Sequence, residues 1–140
     1  MGTAHILIVD DEKNILSSLS RALRLEGYET DVAGGGKLGL DRMKAGSYDL
    51  VLLDVKMPDI SGLDVLERAR EAGVDSPVVV MSGHGTVETA VQATKLGAHD
   101  FIEKPLSTDK LLITVENTLK FKRLKDEHEE LRRQVGATDD

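Results

Sequence analysis

Apolar residues in this chain fall in short, nearly unbroken runs rather than in strict alternation. The runs are HILIVD (residues 5–10), ETDVA (29–33), DLVLLD (49–54), PVVVMSG (77–83) and a weaker HDFIEKP (99–105). Unbroken apolarity marks strands covered on both faces, and hence a parallel sheet. Between the runs the spacing becomes helical. Ile15, Leu16, Leu19, Ala22 and Leu23 form one stripe, which Gly27 is placed to end. Ser61 precedes Leu63, Val65, Leu66 and Ala69, with Asp64 three residues on, an approximate capping box. Val87, Ala90, Val91 and Thr94 predict a further helix stopped by Gly97, and Ser107 is placed to cap a last one carrying Leu111, Leu112, Val115 and Leu119. The order is strand then helix five times over, an α/β chain with right-handed crossovers and helices on both sides of the sheet.

Two helices stand out from this pattern. The second, within GGGKLGLDRMKAG (residues 34–46), contains five glycines. Gly39 inside it costs about 1 kcal/mol against alanine, which predicts the least stable helix of the set. The last has no stop signal near residue 120. Phe121, Leu124, His128, Leu131 and Val135 continue at 3-4-3-4 spacing, the seam of a coiled coil about two heptads long. The spacing predicts a domain over residues 1–120, one helix from Asp109 to Val135 whose 121–135 portion is a linker, and a frayed tail over 136–140. Such an exit suggests a piece cut from a longer protein.

Composition narrows the function. A net charge of −7 over 140 residues argues against direct nucleic-acid binding and against an anionic membrane surface. Cysteine is absent, which removes thiol catalysis and thiolate metal sites and fits a cytoplasmic protein. No apolar run approaches the roughly 18 residues of a membrane span. Aromatic residues are 3% of the chain, too few to favour a stacked flat cofactor.

Each strand run ends in a polar residue: Asp10 and Asp11 after the first, Asp54 after the third, Ser82 after the fourth, Lys104 after the fifth. In a parallel sheet these ends share one edge, where ligands bind in open α/β folds. Carboxylates that converge there either take up protons or bind a cation, and an all-oxygen set suits Mg²⁺. A carboxylate beside such a cation and a lysine is a competent nucleophile toward phosphorus.

With these residues in place, the chain resembles the receiver domain of two-component response regulators. The likeness runs from residue 5 to about 120 on VDDE (9–12), LLDVKMPDISG (52–62), VVMSGHG (79–85) and DFIEKP (100–105). The wording MSGHGTVETAVQATKLGAHDFIEKPL is most similar to receivers of the NtrC type, which precede a sigma-54-activating ATPase and a DNA-binding domain. The resemblance implies a flavodoxin-like doubly wound (βα)5 fold with strand order 2-1-3-4-5 and an extended C-terminal helix. It implies that Asp54 accepts a phosphoryl group from the phosphohistidine of a sensor histidine kinase, as a signalling domain rather than an enzyme. Asp11, Asp54 and the backbone carbonyl of Lys56 would hold Mg²⁺ or Mn²⁺, with Asp10 acting mainly through a water. Lys104 would pair with the phosphoryl group, and Ser82 and Phe101 would switch. Lys56 and His84 would tune phosphoryl lifetime, and the Lys104–Pro105 bond would be cis. A homodimer would form through the face of the fourth helix, fifth strand and fifth helix together with Phe121, Leu124, His128 and Leu131, and output domains would lie in cis. Ser82 stands where threonine is also frequent in the family, and Phe101 where tyrosine is frequent.

Plainer readings exist for the same residues. Asp10 and Asp11 can serve only to start a helix, Ser82 can be a small strand-end residue, Phe101 plain core, and Lys56 and His84 exposed loop residues. Three further functions compete. A phosphatase with an aspartyl nucleophile would want an acid two residues after Asp54, where Lys56 stands. A flavin or nucleotide binder would want a phosphate loop after the first strand, where DDEKN stands. A degenerate receiver would serve only as a dimerisation scaffold.

Overall fold

Strands β1 (His5–Val9), β2 (Glu29–Ala33), β3 (Leu50–Asp54), β4 (Val78–Ser82) and β5 (Asp100–Glu103) alternate with helices α1 (Lys13–Leu25), α2 (Gly36–Ala45), α3 (Gly62–Glu71), α4 (Val87–Lys95) and α5 (Thr108–Thr138). The computed structural model describes the backbone of residues 3–138 and side chains as far as Gln134. All strand pairings are parallel, and the sheet order is β2-β1-β3-β4-β5.

Strand periodicity divides the core in two. Leu7, Val9, Val51, Leu53, Val78 and Val80 point to the side packed by α2, α3 and α4, through residues such as Leu40, Met43, Val65, Leu66 and Ala93. Ile6, Ile8, Leu50, Leu52, Val79 and Met81 point to the other side, packed by α1 and α5 through Leu16, Leu19, Leu23, Leu111 and Val115. Burial on both faces is why these strands read as unbroken apolar runs.

Local signals act as their chemistry requires. Ser61, Thr86 and Ser107 each accept a backbone N–H from the first turn of α3, α4 and α5. Gly27 and Gly97 follow α1 and α4 with φ of +93° and +100°, a conformation that favours glycine. The first strand stops at Val9, one residue short of the apolar run, although the Asp10 N–H still reaches the Ala33 carbonyl at 3.1 Å.

Helix α5 is longer at both ends than its spacing predicts. It starts at Thr108 and runs through Gly136 to Thr138, so residues 136–138 are helical rather than frayed. Adding a turn to an existing helix is far cheaper than nucleating one, which offsets the glycine penalty of about 1 kcal/mol. Asp139, Asp140 and the side chain of Val135 lie outside the described residues. At its root, the Phe121 ring lies 4.5 Å from the ring of His99, and Lys122 stands 3.9 Å from Asp49 and 2.7 Å from Asp126. Beyond the root, Leu124 and Leu131 are 55% and 60% exposed, and His128 is also exposed. No helix among the described residues is long and apolar enough to cross a membrane.

Gly39 has a packing role that propensity does not reveal. A β-carbon there would lie 2.6 Å and 2.8 Å from the two γ-methyls of Val9, on a buried strand of the sheet. Alanine gains about 1 kcal/mol of helix propensity, but overpacking typically costs about 1–3 kcal/mol. We therefore expect Gly39→Ala to lower stability by about 1 kcal/mol, measured as a reduced urea midpoint at unchanged slope.

Candidate functional site

The strand order places the polar strand ends side by side. β1 and β3 pair with Val9 opposite Leu53, so Asp10 and Asp54 leave the sheet as neighbours. β4 and β5 follow, and the Lys104 N–H donates to the Ser82 carbonyl at 2.8 Å, extending the ladder past β5. From there the Lys104 side chain reaches back across the edge. Its Nζ lies 3.2 Å from Asp54 Oδ1 and 2.7 Å from Asp10 Oδ2. The second oxygen of Asp10 accepts the Glu12 N–H at 3.0 Å, so this fully buried carboxylate is paired on both sides. The Lys104–Pro105 peptide bond is cis.

Carboxylate oxygens of Asp10, Asp11 and Asp54 all lie within 4.8 Å of one another, with Asp10 and Asp54 buried and Asp11 exposed. Burial, and then repulsion from Asp10, hold the Asp54 carboxyl above the usual aspartate range, against the pull of Lys104. Burial alone would depress Lys104, but the hydrogen bond and charge of Asp10, reinforced by Asp54, outweigh it and raise its pKa. The ammonium pairs with Asp10 and Asp54 while Asp11 adds a third carboxylate at the rim, so the cluster stays short of positive charge. The donor set consists of hard oxygens, with no thiolate or imidazole. It therefore fits a divalent cation of the magnesium type, whose charge would relieve the repulsion on Asp54.

Asp10 and Asp11 precede α1 without capping it, since its N-cap is Glu12 and no side chain accepts there. Ser82 is buried at the end of β4, and its Oγ accepts the His84 N–H at 3.2 Å. Phe101 is half-buried, its ring tip against Gly85, where a β-carbon would lie 2.5 Å from Cζ. Lys56 and His84 are exposed on the loops that follow β3 and β4. Thus the edge gathers Asp10, Asp11, Asp54, Lys104 and Ser82, with Phe101 beside the β4 loop. Phe121 meets His99, which precedes β5 at the opposite edge of the sheet.

Three contributors escaped the sequence reading. Gly62 lies so close to the Asp54 carbonyl that no β-carbon fits. Gly85 makes room for Phe101. Asp59 binds the start of α2, with its oxygens accepting the Gly36 and Lys37 N–H groups at 3.0 Å each. The Pro-Asp pair and the glycine after the Ser61 cap were the available signals, but neither names a partner.

The raised pKa of Asp54 has a definite sign for stability. The unfolded carboxyl ionises near pH 3.9, before the folded one, so folding loses stability as pH rises from that value through the folded pKa. Asp54→Asn removes this loss while Lys104 retains Asp10. In metal-free buffer we expect the variant to be more stable than the parent at pH 7, with the gain vanishing near pH 3, as read by thermal unfolding across that range.

Comparison with known proteins places the chain in a family. A family model for the response regulator receiver domain matches residues 6–116. The regulatory protein AtoC of Escherichia coli is 36% identical over 134 residues, covering 96% of this chain and 29% of AtoC. A putative NtrX-like response regulator of Rickettsia felis is 37% identical over 137 residues, again 96% of this chain and 29% of the relative. The solved structure of NtrX from Brucella abortus superposes with a TM-score of 0.88 at 38% identity, over 96% of this chain and 30% of that one. A CheY-like receiver domain protein from Methanospirillum hungatei superposes with a TM-score of 0.85 at 31% identity, over 89% of this chain and 99% of that one. The chain thus spans under a third of the AtoC and NtrX-like relatives, and it belongs to the response regulator receiver domain family.

Proposed function

We propose that this chain receives a phosphoryl group on Asp54 from the phosphohistidine of a sensor histidine kinase, in a reaction that requires Mg²⁺ or Mn²⁺. The observation that carries the reading is the Lys104 ammonium shared between Asp10 and Asp54 beside a cluster of three carboxylates. A carboxylate oxygen of Asp54 attacks phosphorus, the P–N bond breaks, and the imidazole leaves with a proton. Asp11, Asp54 and the Lys56 carbonyl would hold the cation, with Asp10 reaching it through a water. When bound, the cation neutralises charge on the carboxylates and on the transferring oxygens. Lys104 leaves Asp54 for a phosphoryl oxygen at little geometric cost, because Asp10 already holds it in place.

Ser82 is the switch element in this reading. Its hydroxyl breaks from the His84 N–H and donates to the phosphoryl group, which shifts the loop before α4 and lets Phe101 turn inward against it. A single lost hydrogen bond of about 1 kcal/mol is small beside the charge-assisted bond that replaces it. Lys56 and His84 flank the approach of water and set the phosphoryl lifetime. The face of α4, β5 and α5 exposes Val87, Val91 and Ile113 at 81%, 47% and 59%. Together with Leu124 and Leu131 on the α5 seam, it forms a homodimer surface. The likeness to NtrC-type receivers implies an ATPase and a DNA-binding domain as output, supported by the greater length of the AtoC and NtrX-like relatives.

Incubation with acetyl phosphate and Mg²⁺ tests the acceptor, with intact mass as readout. We expect one phosphoryl adduct on the parent, none with the cation chelated, and none on Asp54→Asn; an adduct on that variant at the parent rate refutes the assignment. Sedimentation with and without beryllofluoride and Mg²⁺ tests the surface. We expect the dimer fraction to change on addition, and a Leu124→Lys, Leu131→Lys double variant to stay monomeric throughout.

A further inference from the structure

We propose that Asp59 is a positioning residue for this site, pinning the loop between β3 and α3, which carries Lys56, to the start of α2, so that cation affinity at the carboxylate edge depends on it. The inference rests on the reading of the site as a cation-dependent acceptor.

The loop of residues 55–61 is held at three places. Its base is closed by the Gly62 N–H donating to the Val55 carbonyl at 2.7 Å. On its inner side, Met57 is 7% exposed and belongs to the core on the α2–α3–α4 face. At its tip, Asp59 supplies the polar attachment. The N-cap of α2 is Gly35, which has no side chain with which to satisfy the first N–H groups of the helix. Both oxygens of Asp59 do so instead, at 3.0 Å each, from 23 and 22 residues away in sequence. Those two donors, Lys37 N–H first and Gly36 N–H next, hold the Asp59 carboxyl below its ordinary range. The carboxylate also meets the positive end of the α2 dipole. Close packing completes the joint, because Ile60 sits where a β-carbon on Gly36 would have to go.

Lys56 lies between the closed base and the buried Met57, and its own side chain is exposed. What limits rotation of the 56–57 and 57–58 peptides is therefore the attachment on either side of them. Without Asp59 the loop retains its hydrophobic plug but loses its polar hold on α2, and the backbone around Lys56 samples more conformations. Partners that orient a metal ligand typically contribute about 10- to 100-fold in affinity. A carbonyl is one ligand of several, so the lower end applies.

Mg²⁺ titration of the 140-residue chain by calorimetry at low temperature, with folding checked by circular dichroism, tests the idea. We expect Asp59→Ala to bind Mg²⁺ about 10-fold more weakly and Asp59→Asn to fall between it and the parent, since an amide oxygen can replace only one of two acceptors. Tyr48→Phe serves as a control for stability alone. It removes a hydroxyl bonded to Asp31 at 2.8 Å, far from the carboxylate edge, and we expect a lower melting temperature with Mg²⁺ affinity unchanged. A folded Asp59→Ala that binds Mg²⁺ like the parent overturns the positioning role and leaves the acceptor reading intact. A parent chain that binds no Mg²⁺ overturns both. Should Asp59→Ala fail to fold, Asp59→Asn decides: a several-fold loss supports the role, and parity refutes it.

Discussion

One ammonium group bridges two buried carboxylates, and the carboxylate edge depends on it. Asp10 and Asp54 leave adjacent strands with almost no solvent, at 0% and 3% exposure, where ionised acids repel strongly and hydration is lost. Lys104 crosses from the far end of the sheet to reach both. The arrangement satisfies hydrogen bonds without balancing charge, because Asp11 adds a third negative group at the rim. An edge that is hydrogen-bonded but still negative has the chemistry to accept a divalent cation.

The sheet makes such an edge available. Parallel strands all end on the same side, and here β3 and β4 are buried along their whole length and β1 from Ile6 onward. Side chains at alternate positions feed two separate cores, one under α1 and α5 and one under α2, α3 and α4. The packed strands therefore hold Asp54 and Ser82 at their ends, with Asp10, Asp11 and Lys104 just beyond them. Phe101 and Gly85 show how close the fit is: the ring occupies space that any side chain at residue 85 would fill.

Most of this was legible in the chain because parallel sheets leave a loud signature. Five apolar runs located the strands, and the polar residues ending four of them implied that Asp10, Asp11, Asp54, Ser82 and Lys104 meet at one edge. Ser61 and Ser107 as caps, and Gly27 and Gly97 as stops, were readable for a local reason, since a cap acts within one turn of itself. What stayed hidden depends on distant partners. Asp59 looks like any turn residue until α2 is known to begin 23 residues earlier with a glycine cap. Gly39 looks like a weak point by propensity, yet Val9 requires it. The helical state of residues 136–138 was missed because a glycine usually argues for a stop, whereas a long established helix carries through it.

Helix α5 is gripped near Phe121 and Lys122 by His99 and Asp49, and then continues to Thr138. At 1.5 Å per residue, the free portion is a rod about 24 Å long. A tilt of about 10° at its root swings the tip by about 4 Å on that geometry, close to the spacing of one side chain from the next. The protruding helix is thus a lever whose fulcrum lies on the edge of the sheet away from the carboxylates. Small angular changes at that root become displacements of the helix tip comparable to the spacing between neighbouring side chains.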